Sequence, residues 1–190
     1  MERKKHILKA ANDAFSMFGY KATTVDQVAK AANVGKGTIY NFFDNKEELF
    51  REVISELLHE MKMAAEGSFK SDRSFKENVH HALFVLLEYR KSHQLTMKVV
   101  QEAKGIGTPT VQLALQEMEE LIITYIKEKL QLAVDAGDIR PCKLEPTAFM
   151  IYKLYIAFII DWEENHSPLT KEEILDLFEQ SIFKGLSPEG

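Results

Sequence analysis

Apolar side chains recur along most of this chain at intervals of three and four residues, the spacing that places them on one face of a helix. The first such stripe consists of Ile7, Leu8, Ala11, Ala14, Phe15 and Phe18. It predicts a helix over residues 3–18, which Gly19 would end because glycine tolerates the left-handed backbone that follows many helices. Sustained alternation of apolar and polar residues, which would indicate strands, is absent from the sequence. The pattern therefore predicts an all-α protein.

Two short helices separated by a tight turn are predicted next. Thr24 and Gln27 have the three-residue spacing of a capping box, which predicts a helix that begins there and runs to about residue 31. Residues 32–34 form the turn, in which Asn33 suits a positive φ. A third helix is predicted over residues 36–43, and Ile39 would anchor it to the core. Its outer face would then carry Lys36, Gly37, Thr38, Tyr40 and Asn41.

Six longer helices are predicted after this segment. They cover residues 46–66, 73–91, 94–104, 109–135, 146–164 and 170–185, with glycine and proline breaks between them. Asn45 and Glu48 form a second capping box at the start of the first. The helix over 146–164 is apolar on nearly every face, so it must be covered on all sides. A second subunit would provide that cover, and the alternative is a core helix of a monomer.

Charge is distributed unevenly along the 190 residues. The formal net charge is −5, yet residues 1–46 hold eight Lys and Arg against four Asp and Glu, and the other residues hold 16 against 25. A basic N-terminal segment on an acidic body indicates that the segment alone meets a polyanion. Cys142 is the only cysteine, which excludes an intramolecular disulfide. No signal sequence or membrane span is expected, and a cytoplasmic location follows.

Four spaced motifs carry a resemblance to a known family. They are Phe-Gly-Tyr-Lys-Ala-Thr-Thr over residues 18–24, Val-Ala at 28–29, Val-Gly-Lys-Gly-Thr-Ile-Tyr-Asn-Phe-Phe over 34–43, and Asn-Lys-Glu-Glu-Leu over 45–49. Together they cover about a quarter of the chain and resemble the signature of the TetR family of transcriptional regulators. The resemblance implies a helix-turn-helix DNA-binding domain over residues 1–46 and a helical ligand-binding and dimerisation domain over 47–190.

The function implied by this resemblance is that of a ligand-responsive repressor. Such a protein binds a palindromic operator in double-stranded DNA as a homodimer, and a small, largely apolar or amphipathic effector releases it. The long helix over 46–66 would transmit effector binding to the DNA-binding domain, and the last two helices would form the dimer interface. Neither catalytic residues nor a cofactor is expected.

The resemblance also implies which side chains hold the DNA backbone. Thr24, Thr38, Tyr40 and Lys46 are similar to the phosphate contacts of the family. A threonine at a helix N-terminus can offer both its hydroxyl and a backbone N–H to a phosphate. Lys46 lies in the first turn of a helix, where its charge and the helix dipole act together.

The base-facing positions are Lys36 and Asn41, because a lysine can donate to guanine and an asparagine can pair with adenine. Gly37 would allow a close approach of the backbone to DNA. The chain departs from the family pattern at three positions: Gly35, a DNA-binding position where Ser or Thr is common, Phe42, where His or Tyr is common, and Asn33, where the turn usually has Gly. These departures bear on affinity and sequence preference rather than on the mode of docking.

Eight residues are candidates for contact with the effector: His80, Phe84, Met97, Tyr125, Tyr152, Lys153, Tyr155 and Trp162. Each aromatic residue could instead be ordinary core. Lys153 lies in the most apolar helix, where an unpaired ammonium group is costly. It could extend to the surface, pair with Glu119 or Glu120, or meet an anionic effector.

The alternative function is that of a helical metal-binding enzyme. Three Glu-x-x-His pairs occur, at residues 56–59, 77–80 and 163–166, and di-iron helical bundles use such pairs. Ligands to one metal must converge, whereas helical spacing directs His59 into solvent and places His166 at a helix end. No metal site is therefore expected.

Overall fold

The structure is a computed structural model that describes residues 2–70, 72–92, 94–105 and 107–187. Within these ranges every regular element is a helix, which confirms the predicted all-α class. The helices are α1 Glu2–Ala22, α2 Val25–Ala31, α3 Lys36–Tyr40, α4 Lys46–Gly67, α5 Phe75–Ser92, α6 Gln94–Gly105, α7 Pro109–Ala136, α8 Leu144–Ile156, α9 Lys171–Phe178 and α10 Lys184–Leu186. None of these described helices combines the length and apolar character of a membrane-spanning segment.

The chain divides into two compact units at places other than the predicted domain boundary between residues 46 and 47. The first unit comprises Met1–Lys62 and Tyr89–Glu117, and the second comprises Met63–Glu88 and Met118–Gly190. The first unit therefore contains α1–α3 together with most of α4, α6 and the beginning of α7. Whether the functional domains divide at residue 46 stays a prediction.

The core of the first unit is built from the predicted stripe of α1. Ile7 and Phe15 are fully buried, and the ring of Phe15 lies edge-on to the ring of Phe50 at 5.1 Å between centroids. The prediction for the end of α1 was wrong at one position, because Phe18 is 51% exposed and Tyr20 is buried instead. Gly19 explains the burial of Tyr20, since its φ of 81° redirects the chain and rotates the residues after it.

The core of the second unit includes buried apolar residues of α5, α7 and the C-terminal helices. Ile174, Phe178 and Ile182 are almost completely buried, and Phe178 contacts the ring of Phe158 at 6.2 Å between centroids. The helix predicted over 146–164 is not uniform. α8 ends at Ile156 and continues as a π-helical turn over Ala157–Asp161 and a 3₁₀ turn over Trp162–Glu164. A second π-helical turn, Glu179–Phe183, follows α9.

Candidate nucleic-acid interface

Local hydrogen bonds fix the beginning of α2. The hydroxyl of Thr24 accepts from the backbone N–H of Gln27 at 3.3 Å, and the amide oxygen of Gln27 accepts from the N–H of Thr24 at 2.8 Å. This is the predicted capping box, and it is confirmed. The turn after α2 contains Asn33 at a φ of 53°, as predicted. These two features hold α2 and α3 as a helix-turn-helix.

The outer face of α3 is open to solvent. Ile39 is 1% exposed and attaches the helix to the core of the first unit. Lys36, Gly37 and Asn41 are exposed, Tyr40 is 46% exposed, and Thr38 is half-buried. The helix is shorter than predicted and ends at Tyr40, so Asn41 forms its C-cap. A β-carbon on Gly37 would meet no atom within 4 Å, so the space beside this residue is open.

Lys36 is paired within the helix-turn-helix. Its Nζ donates to Oδ2 of Asp26 at 2.7 Å, and both side chains are well exposed. This hydrogen bond raises the pKa of Lys36 above its usual value. The contact with Asp26 thus favours the charged form of the lysine.

Lys46 has partners other than DNA. Its Nζ donates to the carbonyl oxygens of Tyr20 at 2.9 Å and Thr23 at 3.0 Å, and it lies 4.2 Å from the centre of the Tyr20 ring. Partial burial lowers the pKa of this lysine, with Glu102 and Glu47 opposing the effect. Lys46 thus satisfies carbonyl groups at the end of α1, which its position in the sequence did not indicate.

The carboxylate of Glu102, on α6, binds the backbone directly after Gly19, the residue at which α1 departs from helical geometry. Its Oε2 accepts from the N–H of Tyr20 at 2.6 Å, and its Oε1 accepts from the N–H of Lys21 at 2.9 Å. The carboxylate occupies the space beside Gly19, where an added β-carbon would lie 2.7 Å from Oε2. A residue more than 80 positions away in the chain therefore fixes the end of α1, and no signal in the sequence pointed to it.

The candidate effector residues are divided between the two units. Met97 belongs to the first unit and the other seven belong to the second. Tyr152 is buried and Tyr125 is half-buried, and burial raises the pKa of each hydroxyl to about 12. Phe84 and Tyr155 are half-buried, whereas Trp162 is exposed and stacks on His166. His80 is exposed and lines an open groove of about 300 Å³ with Arg73, Lys76, Glu77 and His81.

Lys153 pairs with Glu119, one of the two carboxylates that the sequence offered it. Its Nζ donates to Oε2 of Glu119 at 2.6 Å, and its side chain is 45% exposed. The nitrogen also lies 5.2 Å from the ring centres of Phe149 and Tyr152. The pairing with Glu119 explains how the apolar helix α8 accommodates a charge.

The Glu-x-x-His residues that suggested a metal-binding enzyme do not converge. In the described part of the chain no group of three or more His, Cys, Asp or Glu side chains is arranged to hold a metal ion. His59 is exposed on α4, as its helical position predicts. Glu77 accepts from the N–H and hydroxyl of Ser74 at 2.8 and 2.7 Å, so it caps α5.

Relatives of the chain are regulators rather than enzymes. Residues 7–53 match the pattern of the bacterial regulatory proteins of the tetR family. The helix-turn-helix transcriptional regulator YhgD of Bacillus subtilis is 56% identical over 187 residues, which is 98% of each chain. The regulator RutR of Escherichia coli K12 is 30% identical over 79% of this chain and 70% of its own length.

Solved structures have the same fold. The transcriptional regulator FadR of Bacillus subtilis, determined in complex with stearoyl-CoA, superimposes with a TM-score of 0.78 at 20% identity, covering 94% of this chain and 98% of its own. The fatty acid degradation regulator FadR of Bacillus halodurans gives 0.77 at 18% identity, covering 95% and 94%. Because the helix-turn-helix matches the family pattern and YhgD is 56% identical over nearly the full length, the chain belongs to the TetR family and is a DNA-binding transcriptional regulator.

Proposed function

We propose that this protein is a repressor that binds a palindromic operator as a homodimer and leaves it when a small amphipathic effector binds. The observation that carries the proposal is the face of α3, where Lys36, Tyr40 and Asn41 stand exposed while Ile39 anchors the helix. In a helix-turn-helix such a face enters the major groove. Lys36 and Asn41 then read base edges, and Gly37 admits the backbone close to the DNA.

The phosphate-binding set consists of Thr24, Gly35, Thr38, Tyr40 and Lys46. Thr24 and Gly35 are the exposed N-cap residues of α2 and α3, and unpaired N–H groups of a first helical turn suit a phosphate. Lys46 uses two of its three ammonium hydrogens on carbonyl groups, which leaves one for a phosphate. Its contact therefore does not require the bonds to Tyr20 and Thr23 to break.

A dimer is required by the two-fold symmetry of the operator. Its support on this chain is α8, where Phe149 is 47% and Met150 is 48% exposed on the described single chain. Two large apolar side chains at consecutive positions indicate a surface that a second copy covers. The helices after α8 belong to the same unit and would extend that interface.

The effector proposal rests on chemistry and on a structural neighbour. The second unit contains the half-buried Tyr125 and the buried Tyr152, and burial raises the pKa of both hydroxyls to about 12. Aromatic side chains that each carry one polar group suit contact with an amphipathic ligand. FadR binds stearoyl-CoA, and we extend this ligand class, acyl-CoA, to the present protein.

The test begins with selection of binding sites from random duplex DNA by the full-length protein. The proposal expects an inverted repeat with half-site centres about 10 base pairs, or a multiple of that, apart. Stearoyl-CoA is then added to the complex, with free coenzyme A as the matched control. Release by stearoyl-CoA alone supports the effector class. An asymmetric site, or no enriched site, contradicts the repressor proposal, and equal release by both compounds contradicts the role of the acyl chain.

A further inference from the structure

The paired side chains of Lys36 and Asp26 present a donor and an acceptor next to each other on the exposed surface of the helix-turn-helix. Lys36 is the first residue of α3, and Asp26 lies in the first turn of α2. Their Nζ and Oδ2 atoms are 2.7 Å apart, and the side chains are 48% and 67% exposed. The pair is therefore accessible to a ligand that approaches the exposed beginning of α3.

This arrangement has a counterpart in one base pair of DNA. In the major groove a G·C pair shows the guanine O6 acceptor beside the cytosine N4–H donor. Because those two atoms are themselves hydrogen-bonded, their separation is about 2.9 Å, close to that of the protein pair. Lys36 can donate to guanine O6 while Asp26 accepts from cytosine N4, and the ion pair need not open.

We propose that Asp26 is a specificity-determining residue that reads one G·C base pair together with Lys36 as a unit. The inference rests on the proposed base-facing role of Lys36. Lysine has three ammonium hydrogens, so one can remain on Asp26 while the others reach guanine O6 and N7.

Two other roles for Asp26 predict different results. A carboxylate that only repels DNA lowers affinity for every sequence equally, whether or not Lys36 is present. A carboxylate that only masks Lys36 lowers affinity for all sequences as long as Lys36 is present. Reading as a unit is the role in which removal of Asp26 reduces discrimination between base pairs.

The experiment measures binding of full-length protein, at one fixed salt concentration, to the selected operator and to duplexes changed at one base pair. Asp26→Ala, Lys36→Ala and the double variant are compared with wild type. Asp13→Ala is the control, because it removes an exposed carboxylate from α1 of the same unit. Thermal unfolding of each variant shows that the protein remains folded.

Wild type is expected to prefer G·C at one position of each half-site, by about 10-fold or more over other base pairs. Asp26→Ala should lose most of that preference, the double variant should discriminate no worse than Lys36→Ala, and Asp13→Ala should match wild type. An unchanged preference in Asp26→Ala overturns the inference while the repressor proposal stands. If wild type shows no preferred site, both fail together.

Discussion

Replacing Glu102 with alanine removes both acceptors that hold the end of α1 on α6. The carboxylate accepts from the N–H of Tyr20 at 2.6 Å in a partly buried position and from the N–H of Lys21 at 2.9 Å in an exposed one. Hydrogen bonds to a charged group contribute about 1.5–3 kcal/mol each when buried. In the variant, water can accept a hydrogen bond from the exposed N–H of Lys21, but it reaches the partly buried N–H of Tyr20 less well. We therefore expect a loss of about 2 kcal/mol in the free energy of unfolding.

For a chain of this length, that loss corresponds to a decrease of about 4–8 °C in Tm. Circular dichroism during heating measures it, and Glu117→Ala is the matched control because Glu117 is exposed on α7 of the same unit. Amide hydrogen exchange localises the effect: the N–H groups of Tyr20 and Lys21 should exchange faster in Glu102→Ala. Glu102→Gln should be intermediate, since its amide offers one acceptor instead of two.

If Glu102→Ala melts within about 1 °C of Glu117→Ala, the two bonds contribute little net stability. If its Tm falls while the exchange of Tyr20 and Lys21 stays unchanged, Glu102 acts somewhere other than the break at Gly19.

Three further predictions concern other parts of the chain. Substituting both Phe149 and Met150 with glutamate should convert the proposed dimer to a soluble monomer, because charged side chains would then replace the exposed apolar surface of α8. Sedimentation measures the oligomeric state, and a variant that is still a folded dimer would place the interface elsewhere. Gly19→Ala should lower the free energy of unfolding by about 1–3 kcal/mol, because a φ of 81° with a ψ of 169° is essentially restricted to glycine and the new β-carbon meets Glu102. An unchanged Tm would contradict the local geometry. Burial raises the pKa of Tyr152 from 10.0 to about 12, so this tyrosine ionises at a lower pH in the unfolded chain, and the free energy of unfolding falls as the pH rises between those values. Denaturant titrations over this pH range should show a shallower fall for Tyr152→Phe than for wild type. An identical fall would contradict the burial.

Features encoded within a few residues could be predicted from the sequence. The capping box of Thr24 and Gln27 and the positive φ of Asn33 depend on neighbours in the chain, and both were confirmed. The second predicted capping box, formed by Asn45 and Glu48, was right only in part. Asn45 accepts from the N–H of Glu48 at 2.8 Å, but the carboxylate of Glu48 accepts from the N–H of Asp44 rather than from that of Asn45.

Features that depend on distant neighbours could not be predicted. Glu102 contacts a part of the chain more than 80 residues away, and nothing in the pattern of α6 distinguishes it from a solvent-exposed glutamate. Lys153 shows the intermediate case: the apolar surroundings indicated that its charge needs relief, but only the packing of α7 against α8 selects Glu119 as its partner. The π-helical turn after Ile156 likewise has no signal in the hydrophobic period.

The central claim is that the exposed face of α3 reads bases while neighbouring groups hold phosphates. Its most direct test compares Asn41→Ala with Thr38→Val on the selected operator and on every single-base variant of it. Asn41→Ala should lose its preference at one A·T pair of each half-site, by about 1–3 kcal/mol. Thr38→Val should weaken binding to all the duplexes by a similar factor. If Asn41→Ala keeps the wild-type preference at every position, the face of α3 does not read the operator as proposed.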